Sequence, residues 1–287
     1  MIQSDKDLVV PKHIIFPFIL VTSLFALWGF ANAVTDPMVQ AFKKVLELSN
    51  TQAAWVQMAF YGGYFCMALP AAIFVRNFSY KSGVIMGLIL YAGGALLFYP
   101  AATTGQFWFF CLGLYILTFG LAFLETTANP YILSMGSMRT ATQRLNLAQA
   151  FNPVGLVAGL LVAKYFVLDN LQSDNISNFR ELPLSEKEVI RISDLAVIRD
   201  PYVALGLVVL LVLIVIAFSK MPQSKRTKEL PSLKTTFGEL FQDKKYYLGV
   251  GSLVLYVGAQ IMCWTYIYQY AEAYGISSHN YPGIRIF

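Results

Sequence analysis

A chain of 287 residues that is 57% hydrophobic and only 13% charged cannot clothe a water-facing surface, because a soluble domain carries about 25% charged residues. The net charge of +5 comes from a bias between loops on two sides of a membrane and calls for no nucleic-acid partner. Three scattered cysteines (Cys66, Cys111, Cys263) and two distant histidines (His13, His279) exclude a disulfide framework, a metal cluster and a Ser-His-Asp site.

The apolar residues form seven stretches long enough for a bilayer core of about 30 Å, which needs roughly 20 helical residues. They run Ile14 to Phe42, Ala53 to Val75, Gly83 to Thr104, Phe107 to Leu133, Leu145 to Leu168, Tyr202 to Phe218 and Tyr247 to Tyr270. None alternates as a barrel strand does, and lipid forces backbone groups to be satisfied within a segment, so each is a helix. The first is expected to be a span, with a cleaved leader as the alternative. Its apolar run is too long, and Asp5 and Asp7 cancel the basic Lys6 and Lys12, although Ala31-Asn32-Ala33 mimics a cleavage site.

The expectation is therefore an all-α polytopic membrane protein. Residues 1–13 form an N-terminal segment, 14–218 a six-helix bundle with an external loop over 168–201, 219–246 a basic linker, 247–270 a seventh span and 271–287 an atypical end. Within the external loop, Leu184 to Leu195 reads as helix. Counting Lys and Arg places thirteen on the side of the N-terminus and the linker, and six on the other. The positive-inside rule then puts the N-terminus in the cytoplasm.

A charge at membrane depth costs several kcal/mol unless it faces protein or water. Lys164 lies near the end of its span and can snorkel to the interface. Arg144 is either an orientation charge or a cavity residue. Asp36 and Glu125 share a pattern: Asn32 and Asp36 precede Pro37, and Glu125 and Asn129 precede Pro130, each pair four residues apart. That spacing puts a pair on one helix face beside a backbone loosened by proline. The two copies sit in spans one and four, which run in opposite directions, as inverted three-helix repeats would place them around one midplane cavity. Chance produces such strings at helix ends too.

Gln57, Asn146, Gln149, Asn152 and Gln260 are further amides on candidate cavity faces, and Asn146, Gln149 and Asn152 step by three. With Trp28, Tyr61, Trp264 and Tyr268 to stack on a ring, they suit a neutral polyol, although amides also join helices in lipid. The pairs Gly83, Gly87 and Gly155, Gly159 read as close helix contacts.

The strings FALWGFANAVTDP, FYGGYF, YKSGVIMGLILYAGGALLFYPAA, FLETTANPY, RLNLAQAFNPVG and YVGAQIMCW resemble the fucose and proton symporter family of the major facilitator superfamily, which includes glucose/galactose porters. The resemblance covers about residues 14 to 275. It implies two six-helix bundles, alternating access, the bacterial inner membrane, a monosaccharide and a proton as partners beside the lipid bilayer, and a monomer without cofactor. It places the functional carboxylates on Asp36 and Glu125 and the cavity amides on Gln149 and Asn152. Arg76 and Lys81 match a loop signature in which Val75 replaces an acid. Members have twelve spans. With seven here, and residues 280–287 unlike the family, the expectation is a truncated or frameshifted reading whose transport is impaired.

The resulting mechanism is proton and sugar symport. Asp36 and Glu125 are the expected proton-coupling carboxylates, Asp36 as the proton carrier and Glu125 as the one that also senses sugar, and Asn32, Gln57, Asn129, Asn146, Gln149, Asn152, Gln260 and Trp264 are expected to bind it. A carboxyl group enclosed away from water favours its neutral form, so a proton taken up on one side is released on the other. Sodium coupling and uncoupled facilitation use the same cavity. An intramembrane enzyme fits less well, since no nucleophile, metal set or phosphate-binding loop accompanies the acids.

Overall fold

The computed structural model describes residues 8–174, 176, 179–222 and 232–274. Among them every regular element is helical, and seven helical segments are long and apolar enough to cross a membrane. Two compact units emerge, residues 1–224 and 225–287.

In the first unit, side chains supply missing backbone partners at the starts of two spans. α1 spans Ile15–Val45 and α2 spans Asn50–Asn77. Ser49 and Gln52 form a reciprocal capping box at the start of α2, with bonds of 3.2 and 3.0 Å. α3 (Tyr80–Leu96) is capped by Ser79, whose Oγ accepts from Ser82 N at 3.1 Å. α4 (Phe98–Thr104) ends on Gly105 in the left-handed conformation. α5 covers Phe107–Ser134.

Two of the expected spans are broken, and proline accounts for both. Pro100 has no N–H for Leu96 O, and α3 ends at Leu96. Pro153 has none for Gln149 O, and α6 (Ala141–Gln149) gives way there to α7 (Phe151–Val162). A π turn over Ala163–Val167 then widens the helix, and Lys164 sets its ammonium 5.1 Å from the Tyr165 ring centre.

α8 runs unbroken over Leu184–Phe218, so the helix expected inside the external loop is the leading part of the sixth span. Hydropathy concealed this because seven charged residues interrupt the apolar run between 184 and 200, two of which, Lys187 and Asp194, are buried. Asp194 accepts from the main-chain N–H groups of Gln172 and Ser173 at 2.8 and 3.0 Å. Lys187 and Arg191 meet Glu47 at 2.9 and 3.4 Å, and Arg191 also donates to Val45 O. These polar contacts dock the leading part of α8 on the end of α1.

α5 is the centre of the packing, with α2 and α3 against it; α7 packs along α1 and α8 along α3. Small residues permit the close approach, which in lipid supplies most of the association energy. The glycine contacts expected from sequence are present: Gly155 and Gly159 meet the backbone of Ala26 and Phe30, and Gly83 and Gly87 meet Thr127 and Leu124.

The second unit holds α9 (Leu233–Gln242) and α10 (Lys244–Ala273). α9 lies inside the stretch expected to be linker.

Candidate functional site

The break at Pro153 sets Gln149 at the end of α6, where its side chain reaches α5. Gln149 Nε2 donates to Asn129 Oδ1 at 3.1 Å, and Asn129 Nδ2 donates to Glu125 O at 3.0 Å. Glu125, Asn129 and Asn152 are half-buried and Gln149 is exposed, so the group lines the edge of the packed bundle. Asn152 Nδ2 donates to Phe25 O at 3.2 Å, which carries the network to α1.

A second link joins α1 to α2. Trp28 Nε1 donates to the Tyr64 hydroxyl at 2.6 Å. Trp28 is among the aromatic residues expected from sequence, whereas Tyr64 is not. The FYGGYF string carries it, but nothing in that string distinguishes Tyr64 from Tyr61, which stands exposed one turn earlier.

Of the expected residues, Gln149 and Asn129 meet across α6 and α5, whereas Asn129 bonds only to the main chain of Glu125 and Asn152 to that of Phe25. Asn146 lies exposed one turn before Gln149, and Asn32 and Gln57 are half-buried on α1 and α2. The Asp36 backbone lies in α1 just before Pro37, and Thr35 Oγ1 bonds back to Ala31 O at 2.8 Å; the Asp36 side chain lies outside the described residues. Gln260 belongs to the second unit, half-buried on α10, and the side chains of Trp264 and Tyr268 lie outside the described residues.

Arg144, expected as an orientation charge or a cavity residue, is fully buried and bonded within the protein. Nε donates to Ile132 O at 3.0 Å, Nη1 to Val9 O and Thr140 Oγ1, both at 3.1 Å, and Nη2 to Leu133 O and Ser137 O, both at 3.2 Å. Five N–H donors meet five oxygens, and two of these oxygens are last-turn carbonyls of α5, at the negative end of its dipole. Lys81 does the same for α8, donating to Ala217 O and Ser219 O at 2.8 Å each. Helix pattern alone does not show which carbonyls a distant cation will cap.

The seven apolar helices and the polar pair that joins α5 to α6 define a multi-pass helical membrane protein with polar side chains inside its spans. The chain belongs to the Major Facilitator Superfamily, whose sequence profile matches residues 18–286. It is 55% identical over 275 residues to the L-fucose-proton symporter of Haemophilus influenzae, covering 94% of this chain and 64% of that protein. It is 35% identical to the L-fucose-proton symporter of Escherichia coli K12 over 93% of this chain and 62% of that one. The glucose/galactose transporter of Brucella abortus is 31% identical over 87% of this chain and 57% of its own length. Among solved structures, the outward conformation of the transporter FucP superposes with a TM-score of 0.78 at 35% identity, covering 91% of this chain and 64% of that one. The chain thus spans less than two thirds of each of these relatives.

Proposed function

We propose that this chain forms the sugar- and proton-handling part of a monosaccharide symporter of the bacterial inner membrane, with a fucose-like or glucose/galactose-like substrate. The observation that carries this reading is the hydrogen bond from Gln149, at the broken joint of α6 and α7, to Asn129, which lies one turn from the half-buried Glu125 on α5. A sugar presents hydroxyls that both donate and accept. Amides supply both kinds of partner, and a carboxylate adds a strong acceptor.

On this reading residues 14–218 are the N-terminal bundle of two inverted three-helix repeats, with the N-terminus cytoplasmic, and α10 is the first helix of a second bundle. The working unit is a monomer. Glu125 with Asn129, Gln149 and Asn152 binds sugar, and Asp36 carries the coupling proton. Alternating access exposes the site to one side at a time. The sugar drives the change by binding the closing state more tightly than the open one.

The test uses proteoliposomes holding a chimera in which the H. influenzae relative supplies the sequence that follows α10. Adding L-fucose or galactose without an imposed gradient should alkalinise the outer medium as protons enter with sugar. Sugar entry without alkalinisation would make the protein a facilitator. Entry that requires sodium would assign the coupling to that ion.

A further inference from the structure

α9, in the second unit, is specified by its own residues. Ser232 caps its start, the Oγ accepting from Thr235 N at 3.1 Å. It ends at Gln242, a single residue before α10 begins. That residue, Asp243, holds the joint: Oδ1 accepts from Lys245 N at 2.9 Å, and its main-chain oxygen accepts from Tyr246 N and Tyr247 N at 3.1 and 3.3 Å. Its backbone, at φ −80° and ψ 105°, is not helical, so the chain turns there and does not run straight on.

Helical spacing gathers Leu233, Phe237, Leu240 and Phe241 into one arc and sets Thr235, Glu239 and Gln242 opposite. Leu233 is 41% exposed, Phe237 37% and Phe241 74%, so the apolar arc of this short helix lies largely uncovered.

The covalent connection places that arc. α10 opens with Lys244, Lys245, Tyr246 and Tyr247, the paired lysines and tyrosines of a span leaving the bilayer at headgroup level. One residue reaches at most about 3.5 Å, so the end of α9 is at the headgroups as well. Charge selects the kind of lipid. Residues 219–246 carry seven Lys and Arg against three acids, and each basic residue near an anionic surface is attracted to it.

We propose that α9 is a membrane-surface anchor for anionic phospholipid, with Leu233, Phe237, Leu240 and Phe241 among the upper acyl chains and Lys234, Lys244 and Lys245 at the phosphates. A helix with one apolar arc and basic flanks binds a bilayer in this way, lying in the interface plane. With the orientation proposed above, that surface is the cytoplasmic leaflet; the lipid contact itself does not rest on that orientation.

The experiment uses the full chain with Cys66, Cys111 and Cys263 replaced by alanine and one cysteine introduced, Phe237→Cys or Gln242→Cys. Each protein is labelled with bimane and reconstituted in phosphatidylglycerol and phosphatidylcholine vesicles or in phosphatidylcholine alone. Phospholipid brominated near the top of the acyl chain should quench the label at 237 several-fold more than at 242, and aqueous iodide should do the reverse. Omitting phosphatidylglycerol, or substituting Lys234→Gln, Lys244→Gln and Lys245→Gln together, should reduce the bromolipid quenching at 237. Iodide quenching equal at the two positions would put the arc in water. Protection of 237 from both quenchers would show a protein cover, and quenching indifferent to phosphatidylglycerol would remove the anionic requirement. Each of these overturns the proposal, and none depends on sugar transport.

Discussion

The Gln149 side-chain amide donates to Asn129 Oδ1 at 3.1 Å from a residue whose own main-chain oxygen Pro153 leaves without its helical donor. One proline therefore ends α6 and sets a polar side chain against the neighbouring span. Removing the amide with Gln149→Ala should weaken sugar binding about 10-fold, the worth of one good hydrogen bond, read as a shift in Kd by equilibrium dialysis. Unchanged affinity would remove Gln149 from the sugar site.

Asp36→Asn should abolish uphill accumulation of sugar in the chimera while leaving exchange of labelled for unlabelled sugar. Glu125→Gln, a mimic of the neutral acid, should retain exchange but lose its dependence on pH. Accumulation that survives Asp36→Asn would take that residue out of the coupling step.

Arg144→Ala leaves the oxygens of Ile132, Leu133, Ser137 and Val9 in a buried site without their shared donor. The expected loss is about 3 kcal/mol or more, seen as a lower melting temperature in detergent. Arg144→Lys should recover little, because an ammonium has three donors and no planar fork.

Two glycines make opposite forecasts. A methyl at Gly155 meets the Ala26 backbone of α1, so Gly155→Ala should cost about 1–3 kcal/mol as the helices separate. At Gly93 nothing lies within 4 Å of the added atom, and Gly93→Ala should raise stability by roughly 0.5 kcal/mol through helix propensity. Equal melting temperatures for the two variants would contradict the α1 and α7 contact.

The span count and most span ends were legible in the chain because a bilayer imposes a length and a polarity on each crossing independently of its neighbours. Lys187 and Asp194 misled that reading: each is buried and polar, and the partners that satisfy them, Glu47 and the Gln172 and Ser173 backbone, come from other segments. α9 was overlooked because ten residues with one apolar arc do not stand out in a stretch dominated by lysine.

Within the site, the polar residues themselves were visible because charge and amide groups are rare at membrane depth. Their pairing was not. That Gln149 meets Asn129, that Asn152 reaches Phe25 O, and that Trp28 donates to Tyr64 depend on how α1, α2, α5, α6 and α7 cross. Arg144 shows the same division: its charge and its place in the first turn of α6 are local facts, while the five oxygens around it come from residues 9 to 140. Hydrophobicity acts residue by residue and so is written along the chain, whereas a hydrogen bond needs a donor and an acceptor at one point in space, and only the packed helices bring those points together.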